Sequence, residues 1–89
     1  ETAAKAQFMI GEIQFAAKQH TEAVKSFFKV IYGYSAPRWQ SEAGYEAGRC
    51  FEVLGKPTQA VKMYEELVAK FPNAETAPAA KERLAELKK

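Results

Sequence analysis

The residues able to do chemistry in this chain are few and scattered. It has one histidine, His20, and one cysteine, Cys50. A hydrolytic trio has only that one imidazole to draw on, and His20 falls in a predicted turn, where it reads as a solvated side chain. Cys50 forms no internal disulfide and, without further thiols or a second imidazole, no zinc site. It lies on a predicted apolar stripe and reads as a small buried hydrophobe. Glu65 and Glu66 are adjacent, so on a helix they point in different directions. Acid–base work needs two carboxylates facing one space, which a helix face provides three or four residues apart, so the pair reads as a solvated edge. Gly44-Tyr45-Glu46-Ala47-Gly48 is glycine-rich but lacks the Lys and Ser or Thr of a phosphate loop. This inventory points away from an enzyme and implies no cofactor and no metal.

What remains is a surface, and the composition limits what it can meet. Thirteen basic and eleven acidic side chains leave a net charge of +2, too small and too evenly spread to drive binding to nucleic acid or an anionic bilayer. No run of residues approaches the roughly 18 apolar positions of a membrane span, so direct membrane insertion is not expected. Glu1-Thr2-Ala3-Ala4-Lys5 lacks the basic start and apolar stretch of a signal peptide and reads as the interior of a longer chain. Sixteen alanines among abundant Glu, Lys and Gln, against eight Val and Ile in total, favour helix over sheet.

An internal repeat organises those helices. A shift of 37 places Thr21-Glu22-Ala23-Val24-Lys25 on Thr58-Gln59-Ala60-Val61-Lys62, Gly11 on Gly48, and Phe27 on Tyr64. A second shift carries the register to Glu75-Thr76-Ala77 over Arg38-Trp39-Gln40 over Glu1-Thr2-Ala3, and aligns Ala6, Ala43 and Ala80 as well as Ile10, Ala47 and Leu84. A period between 20 and 50 residues signals a stacked array, because a single unit cannot close a core alone.

Within each unit the apolar residues recur at helical spacing. The first segment offers Ala3, Ala6, Ile10, Ile13 and Ala17 as its core stripe, and the second Ala23, Phe27, Val30 and Tyr34, flanked by Val24, Phe28 and Ile31. The next two offer Ala43, Ala47, Cys50 and Leu54, then Ala60, Tyr64, Leu67 and Phe71. The last carries Ala80, Leu84 and Leu87. Gly55 suits a left-handed position and Pro57 a first helical turn, while the matching turn Lys18-Gln19-His20 has neither residue type. Gly33-Tyr34-Ser35-Ala36-Pro37 and Phe71-Pro72-Asn73-Ala74 break the period between units. The pattern predicts helices near 2–18, 21–34, 38–54, 57–71 and 75–88, in one domain over residues 1–89. Its units are residues 3–36 and 38–72, followed by a half-repeat or capping helix over 75–88. Gly11, Gly48, Ala23 and Ala60 are small enough to let paired helices approach while Phe27 and Tyr64 fill the space beside them. Trp39, Tyr32 and Tyr34 are expected to cluster at the turn between units and fix its angle.

Gly48, Phe51, Ala60, Tyr64 and Pro72 keep the spacings of the tetratricopeptide repeat, and the chain resembles that family over residues 3–72. The first unit matches through Ile10, Gly11, Ala23 and Phe27 but has Gln14 where an aromatic is usual and Ser35 where Pro is usual. Gln7 and Gly44 stand where a large aromatic opens the first helix. The resemblance implies an all-α fold, a right-handed α-α superhelix of about five antiparallel helices, acting as a protein–protein interaction scaffold. The 37-residue spacing is similar to that of the divergent repeats of bacterial envelope proteins of the Tol-Pal and outer-membrane assembly type, which implies a periplasmic, cell-envelope setting.

The family resemblance also places Lys5, Phe8, Glu12 and Phe15 of the first unit, and Glu42, Tyr45, Arg49 and Glu52 of the second, on the concave side, where a peptide or helix of a partner lies. Phe8, Phe15 and Tyr45 are the candidate apolar anchors and Arg49 a fork for a carboxylate. The competing reading has Phe8 and Phe15 packing against another helix. Grooves of this family that hold acidic chaperone tails present a Lys and Asn clamp, whereas the matching positions here hold Phe8, Glu12 and Glu46, so such tails are not expected to bind. The alternative role is structural: a spacer or cap of a longer solenoid, or self-association through the helix bearing Ala80, Leu84 and Leu87.

Overall fold

A computed structural model describes residues 2–89. Glu1, which opens the repeat register, lies outside the described residues. Five helices follow one another: α1 (Thr2–Ala16), α2 (His20–Gly33), α3 (Pro37–Val53), α4 (Pro57–Lys70) and α5 (Ala77–Leu87). The chain is an all-α helical repeat. Each helix packs mainly on its neighbours in sequence, with a lighter contact between α1 and α3. This produces a slab of 37 × 29 × 16 Å in which α1, α3 and α5 line one side and α2 and α4 the other.

The small residues set the spacing within each hairpin. A Cβ placed on Gly11 would stand 2.5 Å from Cε1 of Phe27, and one on Gly48 would collide with the Tyr64 ring. The two aromatic rings therefore lie directly on the backbone of the partner helix. Both are fully buried, beside Ala23 and Ala60. Gly44 is different, since a Cβ there meets Leu67 only at ordinary contact distance, 3.5 Å.

The turns inside the two hairpins are built alike despite different sequences. Lys18 N–H donates to Phe15 O and Gln19 N–H to Gln14 O; 37 residues on, Gly55 N–H donates to Glu52 O and Lys56 N–H to Phe51 O. Each is a Schellman ending, which requires one residue in the left-handed region. Gly55 takes it at φ 74° without strain, whereas Lys18 is held there at φ 64° against its own Cβ. Pro37, Pro57 and Pro78 each lie in the first turn of a helix, where a missing N–H costs nothing. Between units, Gln40 replaces a conventional cap. Its carboxamide accepts from Ala36 N–H (3.1 Å) and donates to Ile31 O (2.8 Å), tying the end of α2 to the start of α3.

Three expectations change. The stripe Ala3, Ala6, Ile10, Ile13 and Ala17 does not enter the core. These residues are exposed, Ile13 by 68%, and α1 buries Ala4, Phe8 and Gly11 instead. The reason is that the equivalent stripe on α3 is covered by α2, the preceding helix, for which α1 has no counterpart among the described residues. His20 is the first residue of α2 and half-buried, its ring edge-on to Phe15 at 4.8 Å. Finally, the expected aromatic cluster divides: Trp39 packs on Phe8, while Tyr32 packs on Phe28 and donates to Glu66 on the opposite side of the slab.

Two consequences are measurable by chemical denaturation. Gly48→Ala is expected to cost about 1–3 kcal/mol by overpacking, whereas Gly44→Ala is expected to be neutral or to stabilise by up to about 1 kcal/mol through helix propensity. Lys18→Gly is expected to stabilise the fold by about 0.5–1 kcal/mol, because glycine removes the steric cost of the left-handed position.

Candidate functional site

The side of the slab formed by α1, α3 and α5 gathers most of the residues with charged or aromatic binding potential. Its centre is built where α1 meets α3. Phe15 is half-buried, and the Arg49 guanidinium lies over its ring at 5.0 Å while donating to Glu46 Oε1 at 3.1 Å. Tyr45, also half-buried, has its ring 5.8 Å from that of Tyr64. Toward the α1 N-terminus, Lys5 and Arg38 stand over Trp39 at 6.0 and 4.8 Å.

Carboxylates dominate between these rings. Burial lifts Glu42 and Glu46 above the ordinary carboxyl value of 4.5. Glu75 and Glu12 push Glu42 further up, Glu12 and Glu42 do the same to Glu46, and Arg38 and Arg49 offset this in part. Glu12, Glu42 and Glu46 thus share one patch of field, with Arg49 as its nearest counter-charge. Beyond α3, Arg38, Ser41, Glu42, Glu75 and Thr76 line a small open depression where α3 meets the turn before α5.

Not every expected residue faces outward. Phe8 is 5% exposed, wedged between Phe27 and Trp39 with ring centres 5.5 Å from each. It belongs to the core of this chain and is available neither to a partner nor to another helix. Glu52 is committed internally. It accepts from the Tyr64 hydroxyl at 2.7 Å and from Nε of Arg83 at 3.1 Å, and a second Arg83 nitrogen closes a bidentate pair. The Arg83 guanidinium, helped by the Tyr64 hydroxyl, holds the Glu52 carboxyl below 4.5. Lys5, Glu12 and Arg49 are exposed, and Phe15, Glu42 and Tyr45 half-exposed. Sequence reasoning missed Arg38, Glu75 and Arg83 as members of this side. A signal existed for Arg83, which occupies the repeat position of Glu46 and so inverts the charge there.

The remaining chemistry-bearing groups are inert or solvated. Cys50 is fully buried, and desolvation, with Glu46 nearby, pushes its thiol up to about 12. Glu65 pairs with Lys88, and Glu66 with Lys70. Among the described residues no group of His, Cys, Asp and Glu converges to hold a metal ion, and no helix is long and apolar enough to cross a membrane.

The helical hairpins, their glycine-to-ring contacts and their repeated turns define the class: stacked two-helix repeats. The family model described as tetratricopeptide repeat matches residues 5–35 and 42–74, and the chain belongs to that family. Comparison with curated proteins finds no match. Tetratricopeptide repeats act as protein–protein interaction scaffolds, generally without catalysis of their own.

The Glu52 pair yields a signed pH dependence. A carboxyl depressed in the folded state contributes stability that is present above its unfolded value and lost as pH falls through the folded one. Glu52→Gln is therefore expected to cost about 1–2 kcal/mol at pH 7, through the weakened Tyr64 and Arg83 bonds. The gap between variant and parent should close as denaturation is repeated at pH values further below 4.5.

Proposed function

We propose that the α1–α3 side receives an extended or helical segment of a protein partner, and that this segment carries Lys or Arg side chains alternating with apolar ones. The observation that supports the reading is the placement of half-exposed Phe15 and Tyr45 beside the shared carboxylates Glu12, Glu42 and Glu46. The rings offer apolar anchorage, and a cation set among the carboxylates relieves their mutual repulsion while keeping both Glu42 and Glu46 ionised. Lys5 and Arg49 frame the site, with Arg49 free to exchange Glu46 for a carboxylate on the partner. Phe8 and Glu52 act from behind, the first by supporting Trp39 and the second by fixing Tyr64. A role in bacterial cell-envelope assembly is part of the same reading and rests on the 37-residue spacing.

A second reading, a spacer or cap within a longer solenoid, is favoured by α5. Ala80 is buried and Leu84 and Leu87 pack on the core, while Lys81, Glu82 and Glu86 face outward.

Fluorescence titration separates the two. A labelled decapeptide alternating Arg and Leu is expected to bind with a dissociation constant on the order of 10–100 μM, weakening at least about tenfold in Glu42→Gln/Glu46→Gln. Affinity should fall as pH is lowered through the raised carboxyl values, because protonation removes the charges the cation meets. Binding of an acidic C-terminal pentapeptide near 10 μM, with the cationic peptide silent, would overturn the assignment.

A further inference from the structure

On the side of the slab away from the shared carboxylates, α2 and α4 each pack on α3 and leave a groove between them. Val24 and Phe28 of α2 form one wall, Gln59 and Met63 of α4 the other, and Phe51 and Leu54 at the end of α3 the base. Two depressions make it up, of about 340 and 250 Å³, continuous through Phe28, Phe51 and Gln59. The Phe28 ring is half-buried and lies 6.0 Å from that of Phe51. Beyond Phe28 the groove is bounded by Tyr32, which packs on that ring and donates to Glu66. Each of the three helices is packed on both sides by others of this chain, so the groove belongs to the middle of the stack rather than to either end.

Helix packing alone does not call for rings at this place. A shift of 37 carries Phe28 to Glu65 and Phe51 to Lys88, and those two form an ion pair at 2.6 Å with about half of each side chain exposed. The same two positions thus hold a solvated salt bridge in one unit and two aromatic rings in the other, and the rings offer apolar surface that the fold does not require. Charge at the rim selects what they meet. Lys25, Lys56 and Lys62 line the groove and are all exposed. Lys56 and Lys62 enter no ion pair among the described residues, and Lys25 has only the exposed Glu22, a contact of little strength. Glu66, the carboxylate that reaches the groove, is taken by Tyr32 and Lys70. The groove is therefore apolar at its base and cationic at its rim, opposite in sign to the α1–α3 side.

We propose that the α2–α4 groove docks a protein segment in which Phe or Leu side chains alternate with Asp or Glu, the apolar groups seated over Phe28 and Phe51 and the carboxylates meeting Lys25, Lys56 and Lys62. Two linked depressions suit two apolar side chains of one segment. The lysines supply the complementary charge that draws in an acidic segment and turns away a basic one. The chain then carries two sites of opposite sign on opposite sides, sharing no residue and able to hold two segments at once.

A labelled decapeptide blocked at both ends and alternating Glu with Phe and Leu is expected to bind the 89-residue protein with a dissociation constant on the order of 10–100 μM by fluorescence anisotropy. Lys56→Glu/Lys62→Glu should weaken it at least about tenfold, with the circular-dichroism melt unchanged because both side chains are exposed. Phe28→Glu, which matches the repeat counterpart Glu65, should weaken binding to the same degree; if that variant melts lower, the lysine reversal decides alone. Glu42→Gln/Glu46→Gln should leave this peptide's affinity unchanged, which separates the groove from the α1–α3 side. Absence of binding up to about 1 mM, or binding that survives the lysine reversal or is lost in Glu42→Gln/Glu46→Gln, would overturn the proposal. Capture of phosphatidylglycerol vesicles with the peptide silent would overturn it equally, by making the occupant a lipid surface.

Discussion

The contact on which the structure depends is an aromatic ring lying flat against a helix backbone that has no side chain in the way. Phe27 over Gly11 and Tyr64 over Gly48 each let a ring of one helix rest on the backbone of the other, closer than any side chain at the glycine would allow. At that distance Ala23 and Ala60 complete the contact without adding bulk. A chain of 89 residues has too little volume for one deep core. This arrangement avoids the need for one by distributing burial over successive thin seams, the two inside the hairpins each closed by such a ring.

Around those seams the two units differ by coupled exchanges. Where the second unit has Tyr64, its hydroxyl needs an acceptor and finds Glu52; in the first unit the ring is Phe27 and the place of Glu52 is taken by Phe15, an apolar side chain with no bond to make. Phe51 and Met63 form an apolar pair of positions in the second unit, whereas the first has Gln14 and Ser26, joined by a hydrogen bond at 2.5 Å. A polar atom is introduced only together with its partner, as burial requires. The departure of the first unit from the family pattern at Gln14 is therefore a satisfied substitution. Lys18 in the place of Gly55 has no such compensation in its backbone.

Most of this was legible before any coordinates. The 37-residue period, the helical spacing of the apolar residues and the Gly–Pro punctuation define five helices within about two residues of where they lie, because those signals reflect local backbone chemistry. The small-residue and ring positions likewise predict the helix contacts that form. The α1 stripe departs from expectation because α1 is apolar on two sides: periodicity detects a face but not whether a neighbour covers it, and the equivalence with α3 assigned Ile10 and Ile13 a cover that α1 lacks among the described residues. Phe8 followed the same error in reverse. The commitment of Glu52 could not be read from spacing, since its partner Arg83 comes from the next unit and a salt bridge between units leaves no periodic trace.

The thinness of the slab, 16 Å across, with contacts passing almost entirely from each helix to the next, carries a consequence for how the molecule comes apart. In such a one-dimensional stack, cooperativity decays with distance along the chain. Among the described helices, α2, α3 and α4 are each packed on both sides, so opening of this segment is graded outward from that middle. Amide exchange would be graded accordingly, slowest near Val30, Ala47 and Tyr64. A partner that clamps one helix would steady its nearest neighbours most, coupling occupancy to local rigidity without a change of shape.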